Sequence, residues 1–418
     1  MKVSARLLAA ALIISAVSAR TVASAAPLSV EQVVAAVLEV NPRVRAARAR
    51  WQSATHTVTQ TYAPADPILG FTSVDSPTNG FTDASAHTLA VSQPLQFPGK
   101  AILQHRNAQR SADIARLIYE GVARDARTMT KTHYYQLVLD TALARNAAST
   151  VADLQRIADA TGANHPVEHS AGVIAEIGDQ RQKQQRAELA RADDQTELNA
   201  LLNRRPDEPI EIDTTLVLKP IPGRVDDLIE QAWSRRQEIL ELALQSENAE
   251  TALKLARLEY APDYTIGYFF DHYILPSDAP APNLTQDHSV WVTFNLPIYF
   301  WLKQNEDVKR AGYDLEAARE DLNSIKTRTA AKVTILYRHA QFDYQDAMTY
   351  RDTVLPQSLK AFEGALTSYR NHVENFATLT GLRNRLNEMR MTYLQAVNRV
   401  LEDRIALEHE TGGGRLPR

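Results

Sequence analysis

The chain has 418 residues, a formal net charge of −4, only 15 Gly and no Cys. The missing Cys excludes disulfides, thiolate catalysis, thiolate metal sites and a lipidated N-terminal cysteine. Sparse Gly, with long segments dominated by Ala, Leu, Arg, Glu and Gln, points to long helices rather than a mixed α/β core.

Residues 1–25 read as a signal peptide. Lys2 and Arg6 supply the positive start, Leu7 to Val17 a short apolar run, and Ala23-Ser24-Ala25 a small-residue cleavage site. The run is too short to span a bilayer. Its removal takes away Lys2, Arg6 and Arg20 and no acid, so the charge of −4 becomes −7. A mildly acidic mature chain is a poor nucleic-acid binder, and no nucleic-acid partner is expected. Beyond this segment nothing approaches the roughly 20 apolar residues of a spanning helix.

Residues 28–62 read as helix, broken or kinked at Pro42. Residues 66–75 and 86–95 read as strands around the turn-rich Ser76-Pro77-Thr78-Asn79-Gly80. A helix over 100–160 follows, about 90 Å long at 1.5 Å per residue. Thr161 to Pro166 breaks it, Gly172 marks another break, and 173–203 is helical again. Arg204 to Pro209 ends this half, because its two prolines cannot continue a helix. The second half repeats the order: helix 224–260, strands 263–272 and 288–297, and a long helix 303–369 kinked at Pro356. A turn at Asn371-His372, a helix over 376–410 and a flexible tail over 412–418 complete it.

The repetition extends to residues. Tyr62-Ala63-Pro64, Asp66 and Gly70-Phe71 return as Tyr260-Ala261-Pro262, Asp263 and Gly267-Tyr268. Gln93-Pro94-Leu95 returns as Leu296-Pro297-Ile298. The chain therefore divides into repeats 26–212 (β-hairpin 66–95, helical hairpin 100–203) and 213–411 (β-hairpin 263–297, helical hairpin 303–410).

The later strands alternate. Tyr264, Ile266, Tyr268 and Phe270 share one face, as do Val290, Val292, Phe294 and Leu296; Trp291 and Phe269 interrupt the polar side. Runs of about 10 residues match a tilted transmembrane strand. A hairpin pair on a soluble core has the same pattern; the export signal and the rim aromatics Tyr268, Tyr273, Trp291, Tyr299 and Trp301 favour the membrane. Ala311, Leu315, Ala318, Leu322 and Ile325 form a heptad-like seam, as do Leu382, Leu386, Met389, Tyr393, Ala396 and Val400. Such narrow seams require helices packed side by side.

An open set of four membrane strands leaves backbone groups unpaired in lipid, at several kcal/mol each. Two copies supply about eight strands, whose interior is filled by side chains. Three copies supply twelve and leave a lumen, and cyclic closure pairs every edge.

The chain resembles the TolC-like outer-membrane factor (outer membrane efflux protein) family over nearly its whole mature length. The resemblance rests on LSVEQVVAAVLEVNPRVRAARAR (28–50), LNALLNRRPDEPIEI (198–212), LVLKPIPGRVDDLIEQAW (216–233) with RRQEILEL (235–242), LPQSLKAFEGALTSYR (355–370), and the close at Glu410-Thr411-Gly412. The corner VSQPLQFPGK (91–100) is similar to the heavy-metal (CzcC-like) branch. The resemblance implies a mostly α chain with a small β part: a homotrimer with an α-helical barrel and a 12-stranded transmembrane β-barrel, four strands per protomer. It implies a passive outer-membrane conduit of a tripartite efflux system, reaching across the periplasm to an adaptor protein and an inner-membrane pump. Export of heavy-metal cations or small toxic compounds follows. The rival is a soluble periplasmic coiled-coil scaffold.

No phosphate loop, G-x-S-x-G or H-E-x-x-H occurs, so neither catalysis nor a cofactor is expected. His165 and His169 lie four apart with Glu168 between, and His372 and Glu374 sit at the other turn. Positions i and i+4 share a helix face, the pattern of a transient metal site; Pro166 disfavours a helix there, and a solvated polar turn is the simpler reading. Glu168, His169, Gly172, Asn371, His372 and Glu374 form the expected tip aperture and adaptor-docking set, where Asn371 is suited to a left-handed turn. Acidic rings there would favour cations; Asp75, Asp83, Asp271 and Asp287 near the barrel mouth carry the same reading or that of ordinary surface charge. The lipid-facing set is Tyr264, Ile266, Tyr268, Phe270, Val290, Val292 and Phe294.

Overall fold

A computed structural model describes residues 27–75, 84–161, 167–221, 223–273, 286–371, 373 and 375–413. The signal segment, the turn at 76–80, Asp83, His165, His372 and Glu374 lie outside the described residues. The elements are α1 (Val30–Val40), α2 (Pro42–Gln60), β1 (Ile68–Asp75), β2 (Ala84–Leu95), α3 (Pro98–Thr161) and α4 (Val167–Leu201), then α5 (Val225–Arg235), α6 (Gln237–Leu258), β3 (Tyr264–Tyr273), β4 (Gln286–Phe294), α7 (Gln304–Thr349), α8 (Leu355–Arg370) and α9 (Phe376–Glu410). The chain is mostly helical with one small sheet, and the same order of elements occurs twice.

Local chemistry explains the breaks. Pro42 does not kink a helix but starts one: it stands at N1 of α2 behind Asn41, whose Oδ1 accepts from the N–H groups of Arg43 (3.0 Å) and Val44 (3.3 Å). The helix expected over 224–260 is in fact two. Arg236 is extended (φ −69°, ψ 121°), and its guanidinium is thereby held by Glu238, Thr329 and Glu410. No Pro or Gly announces this break. The kink expected at Pro356 is a π-helical turn, Tyr350–Val354, one turn earlier. Pro356 lacks the N–H that would serve the turn before it, and the Leu355 N–H reaches back to the Tyr350 carbonyl.

Three further positions differ from the sequence expectation. Gly172 marks no break: α4 starts at Val167 and runs through it. A Cβ at Gly172 would meet open space, so this glycine meets no steric demand. Asn371 caps α8 with a negative φ, in the bridge region (φ −88°, ψ 11°) rather than the left-handed one, and the turn is tied by Val373 N–H to the Ser368 carbonyl at 2.9 Å. The C-terminal tail does not begin at 412. Thr411 is buried, Gly412 is left-handed (φ 66°), and a Cβ there would lie 2.7 Å from the Arg235 carbonyl oxygen.

Contacts group the chain into two compact units that do not follow the repeats. One comprises Met1–Val37, Met129–Lys219 and Asp346–Asn398; the other comprises Leu38–Thr128, Pro220–Gln345 and Arg399–Arg418. In the first, Leu154, Ile157 and Val173 pack with Phe362, Leu366, Leu379 and Leu386, so both repeats build one core. There too the Tyr134 hydroxyl lies 2.9 Å and 3.0 Å from the carbonyls of Leu28 and Asp213, beside the parallel bridge of Leu28 with Ile212. In the second, Ala232, Val333 and Leu407 are fully or nearly buried, with Leu228, Ile229 and Leu336 around them.

The sheet belongs to the second unit. Its order is β1-β2-β3-β4, each pair antiparallel. β2 with β3 joins the two repeats, from Ala86 opposite Tyr273 to Leu95 opposite Tyr264. Gly267 of β3 lies under the Trp291 indole of β4, where a Cβ would come within 2.2 Å of the ring.

Candidate functional site: the open sheet and its ionic joints

Register places the apolar strand positions in rows. Leu69, Val91, Tyr268 and Val290 stand side by side across the strands, as do Phe71, Leu89, Phe270 and His288. Ile266, Tyr268, Val290, Val292 and Phe294 are exposed, Val290 at 73%; Tyr264 and Phe270 are half-buried. Leu69, Phe71, Leu89 and Val91 extend the exposed band across the first hairpin. The sequence reading missed these four, since Ile68-Leu69-Gly70-Phe71 lacks a polar alternate. His288 is accommodated on this face by the Tyr268 hydroxyl, 2.6 Å from its Nδ1, and by the Phe270 ring.

The opposite face carries the row Thr72, Thr88, Asp271 and Asp287. The Thr88 hydroxyl donates to the Asp271 carboxylate. Asp271 and Asp287 are direct cross-strand partners, so like charges meet on this polar face. β1 and β4 are the outer strands, each without a neighbour on one side among the described residues.

Below the sheet, Lys100 at the start of α3 is 3% exposed. Its Nζ lies 3.0 Å from Asp263 and 3.3 Å from Glu259. Asp263 also accepts from the Phe97 N–H at 2.9 Å. A cleft of about 650 Å³ opens beside them, lined by Tyr62, Pro94, Gln104, Asp263, Tyr264 and Thr293 among others. In each repeat the Tyr that ends the first helical stretch reaches the start of the long helix: Tyr62 to His105 Nε2 at 2.8 Å, and Tyr260 to Asn305.

The second unit also holds an ionic cluster that the sequence did not reveal. Glu410, 1% exposed, binds Arg236 and Lys332 and lies 3.7 Å from His409 Nδ1. Arg124 donates to Glu238 at 2.8 Å, and His409 Nε2 lies 2.9 Å from Asp125. Burial opposes the charge on Glu238, but the hydrogen bonds and charge of Arg124 outweigh it and hold its pKa at about 2. Burial likewise opposes the charge on Glu410, and His409, Lys332 and Arg236 bring it to about 2. The hydrogen bond to Asp125 and the neighbouring Glu410 carboxylate raise the pKa of His409.

A duplicated acid pair completes the picture. Asp140 follows Lys100 by 40 residues, and Asp343 follows Lys303 by the same 40. Asp194 and Asp403 each stand nine residues before a left-handed residue, Asn203 (φ 53°) and Gly412 (φ 66°). In the first unit, burial and then the charge of Asp194 push Asp140 up to about 6, while His133 Nδ1 lies 2.8 Å from Asp194. In the second, burial and then Asp343 push Asp403 up to about 6, while Arg399 donates to Asp343 at 3.0 Å.

Of the expected tip residues, Glu168, His169 and Gly172 fall in the first turns of α4 and Asn371 at the end of α8. No helix among the described residues is long and apolar enough to cross a membrane, and no group of three or more His, Cys, Asp or Glu among them is arranged to hold a metal ion.

An incomplete antiparallel sheet with an apolar outer face, carried on paired long helices, is the protomer fold of outer-membrane channels. Three solved structures share it: the outer membrane protein VceC of Vibrio cholerae (TM-score 0.74, 16% identity, 92% of this chain and 96% of that one); the open-state outer membrane channel MtrE of Neisseria gonorrhoeae (0.77, 13%, 92% and 89%); and the transmembrane channel CusC (0.72, 15%, 92% and 92%). Curated proteins give no match. Residues 228–413 match the model of the outer membrane efflux protein family, the family named by the sequence resemblance.

Proposed function

We propose that this chain is the outer-membrane channel of a tripartite efflux system, a passive conduit from periplasm to exterior with no catalytic activity of its own. The observation that carries the reading is the open four-stranded sheet, whose exposed apolar band runs across β1 to β4 while the other face carries the row Thr72, Thr88, Asp271 and Asp287. A soluble scaffold has no use for such a band; a lipid-facing wall requires it. Backbone groups at both outer edges demand pairing inside a membrane, and three copies supply a closed twelve-stranded wall with a lumen.

Tyr264, Ile266, Tyr268, Phe270, Val290, Val292 and Phe294, with Leu69, Phe71, Leu89 and Val91, then face lipid. The Asp271 and Asp287 row faces the lumen and favours cations. Heavy-metal cations are the first-choice cargo, supported by this row and by the VSQPLQFPGK corner, with small toxic compounds second. Glu168, His169, Gly172, Asn371, His372 and Glu374 form the aperture and dock an adaptor protein, which couples the channel to an inner-membrane pump.

Ile266→Arg and Val292→Arg each place a cation in the lipid-facing band, at about 2–4 kcal/mol per site near the bilayer midplane. Both variants are expected to disappear from the outer-membrane fraction. A folded, soluble and abundant variant would favour the scaffold.

A further inference from the structure

The duplication of the chain extends to the charged groups at the foot of its hairpins. Inside one copy, the exit of the first hairpin is fastened to the start of the second, because Lys100 holds Asp263 and Glu259 while β2 lies along β3. Each of these two groups, Lys100 and Asp263, has a counterpart at the same place in the other repeat. Lys303 follows β4 as Lys100 follows β2, and Asp66 precedes β1 as Asp263 precedes β3. Both are exposed, and among the described residues neither forms an ion pair. Lys303 borders a cleft of about 190 Å³ with Glu259 and Asp263, but Lys100 already holds both carboxylates.

Register follows from the same equivalence. Leu69 pairs with Val91 as Ile266 pairs with Val292, and Phe71 with Leu89 as Tyr268 with Val290. Within the copy, β2 meets β3 with Val91 opposite Tyr268 and Leu89 opposite Phe270. Carried over to β4 and the next copy's β1, these pairings set Val292 opposite Phe71 and Val290 opposite Ser73. The apolar faces then join without a step.

Resting on the trimeric reading above, we infer that Lys303 of each copy pairs with Asp66 of the next, at the foot of a β4–β1 seam in the register Val292 to Phe71. A one-residue slip would turn the apolar face of β4 into the lumen. A two-residue slip moves the strands by about 7 Å and separates the charges. The second corner, 296–303, is two residues longer than 95–100, a difference within reach of the lysine's flexible stem.

The absence of Cys gives a clean background for the test. Ser73→Cys with Val290→Cys is compared with the slipped pair Phe71→Cys with Val290→Cys, by oxidation in purified outer membranes and denaturing electrophoresis. The first pair is expected to give a covalent three-copy ladder and the slipped pair none. In parallel, Asp66→Lys and Lys303→Asp are each expected to lower the heat-resistant trimer about tenfold, since three modest exposed ion pairs become three repulsions, and the double swap to restore it. This series reads the seam even where cysteines impair assembly. Ladder formation only by the slipped pair, or single swaps without effect in an intact trimer, would overturn the inference and leave the trimer standing. A wild-type monomer in detergent would overturn the trimeric reading itself, and this seam with it.

Discussion

Glu410→Gln is the most informative substitution in the helical part. The carboxylate is 1% exposed and held by Arg236 and Lys332. Its pKa is brought from 4.5 to about 2, which by linkage corresponds to about 3 kcal/mol of folding stability at neutral pH. The amide keeps the shape but leaves two cations facing a neutral group, Arg236 with only 12% of its side chain exposed, and breaking such a pair costs a similar amount, about 3–5 kcal/mol. At roughly 2 cal/mol/K of unfolding entropy per residue, 3 kcal/mol lowers the melting temperature of a chain this long by about 3–4 °C. Because the folded pKa lies below the unfolded one, the contribution is present above pH 4.5 and lost as pH falls toward 2. Circular dichroism melts of wild type and variant, taken at pH 7 and at stepwise lower pH, read both effects. Equal melting temperatures at pH 7, or a gap that does not narrow in acid, would exclude this role for the Glu410 carboxylate.

His409 supplies the opposite sign. Its pKa is raised by Asp125 and Glu410, so its contribution is present below about pH 6.5 and lost as pH rises through the folded pKa; the melting gap to His409→Gln should shrink on that climb, and a constant gap would exclude the effect. Asp140, pushed up to about 6 by burial and Asp194, is strained as an anion at neutral pH. Asp140→Asn is therefore expected to stabilise by about 1–3 kcal/mol at pH 7 and by nothing below pH 4, read from the same melts. Gly267→Val drives a side chain into Trp291 and is expected to cost about 1–3 kcal/mol in trimer heat stability, with Trp291→Ala recovering part of the loss in the double variant.

The repeat, the two hairpins and the long helices were legible because they rest on local signals. Strand alternation and heptad spacing are periodic, and Pro42 and the Arg204–Pro209 segment act within a few residues. Arg236 was illegible because its extended backbone answers to Glu410, 174 residues away. The acid pairs and the Arg124–Glu238 contact were hidden for the same reason: each joins helices distant in sequence, and Asp140 alone looks like any polar residue on a helix. The first hairpin's apolar band was obscured because its outward positions are flanked by apolar neighbours. The two compact units draw from both repeats, which no sequence period announces.

The channel exists only if incomplete protomers complete one another in the membrane. Native mass spectrometry of the protein extracted from outer membranes in mild detergent tests this directly. The expected result is a single species of three mature chains. A monodisperse single chain, stable after the detergent is withdrawn, would contradict it.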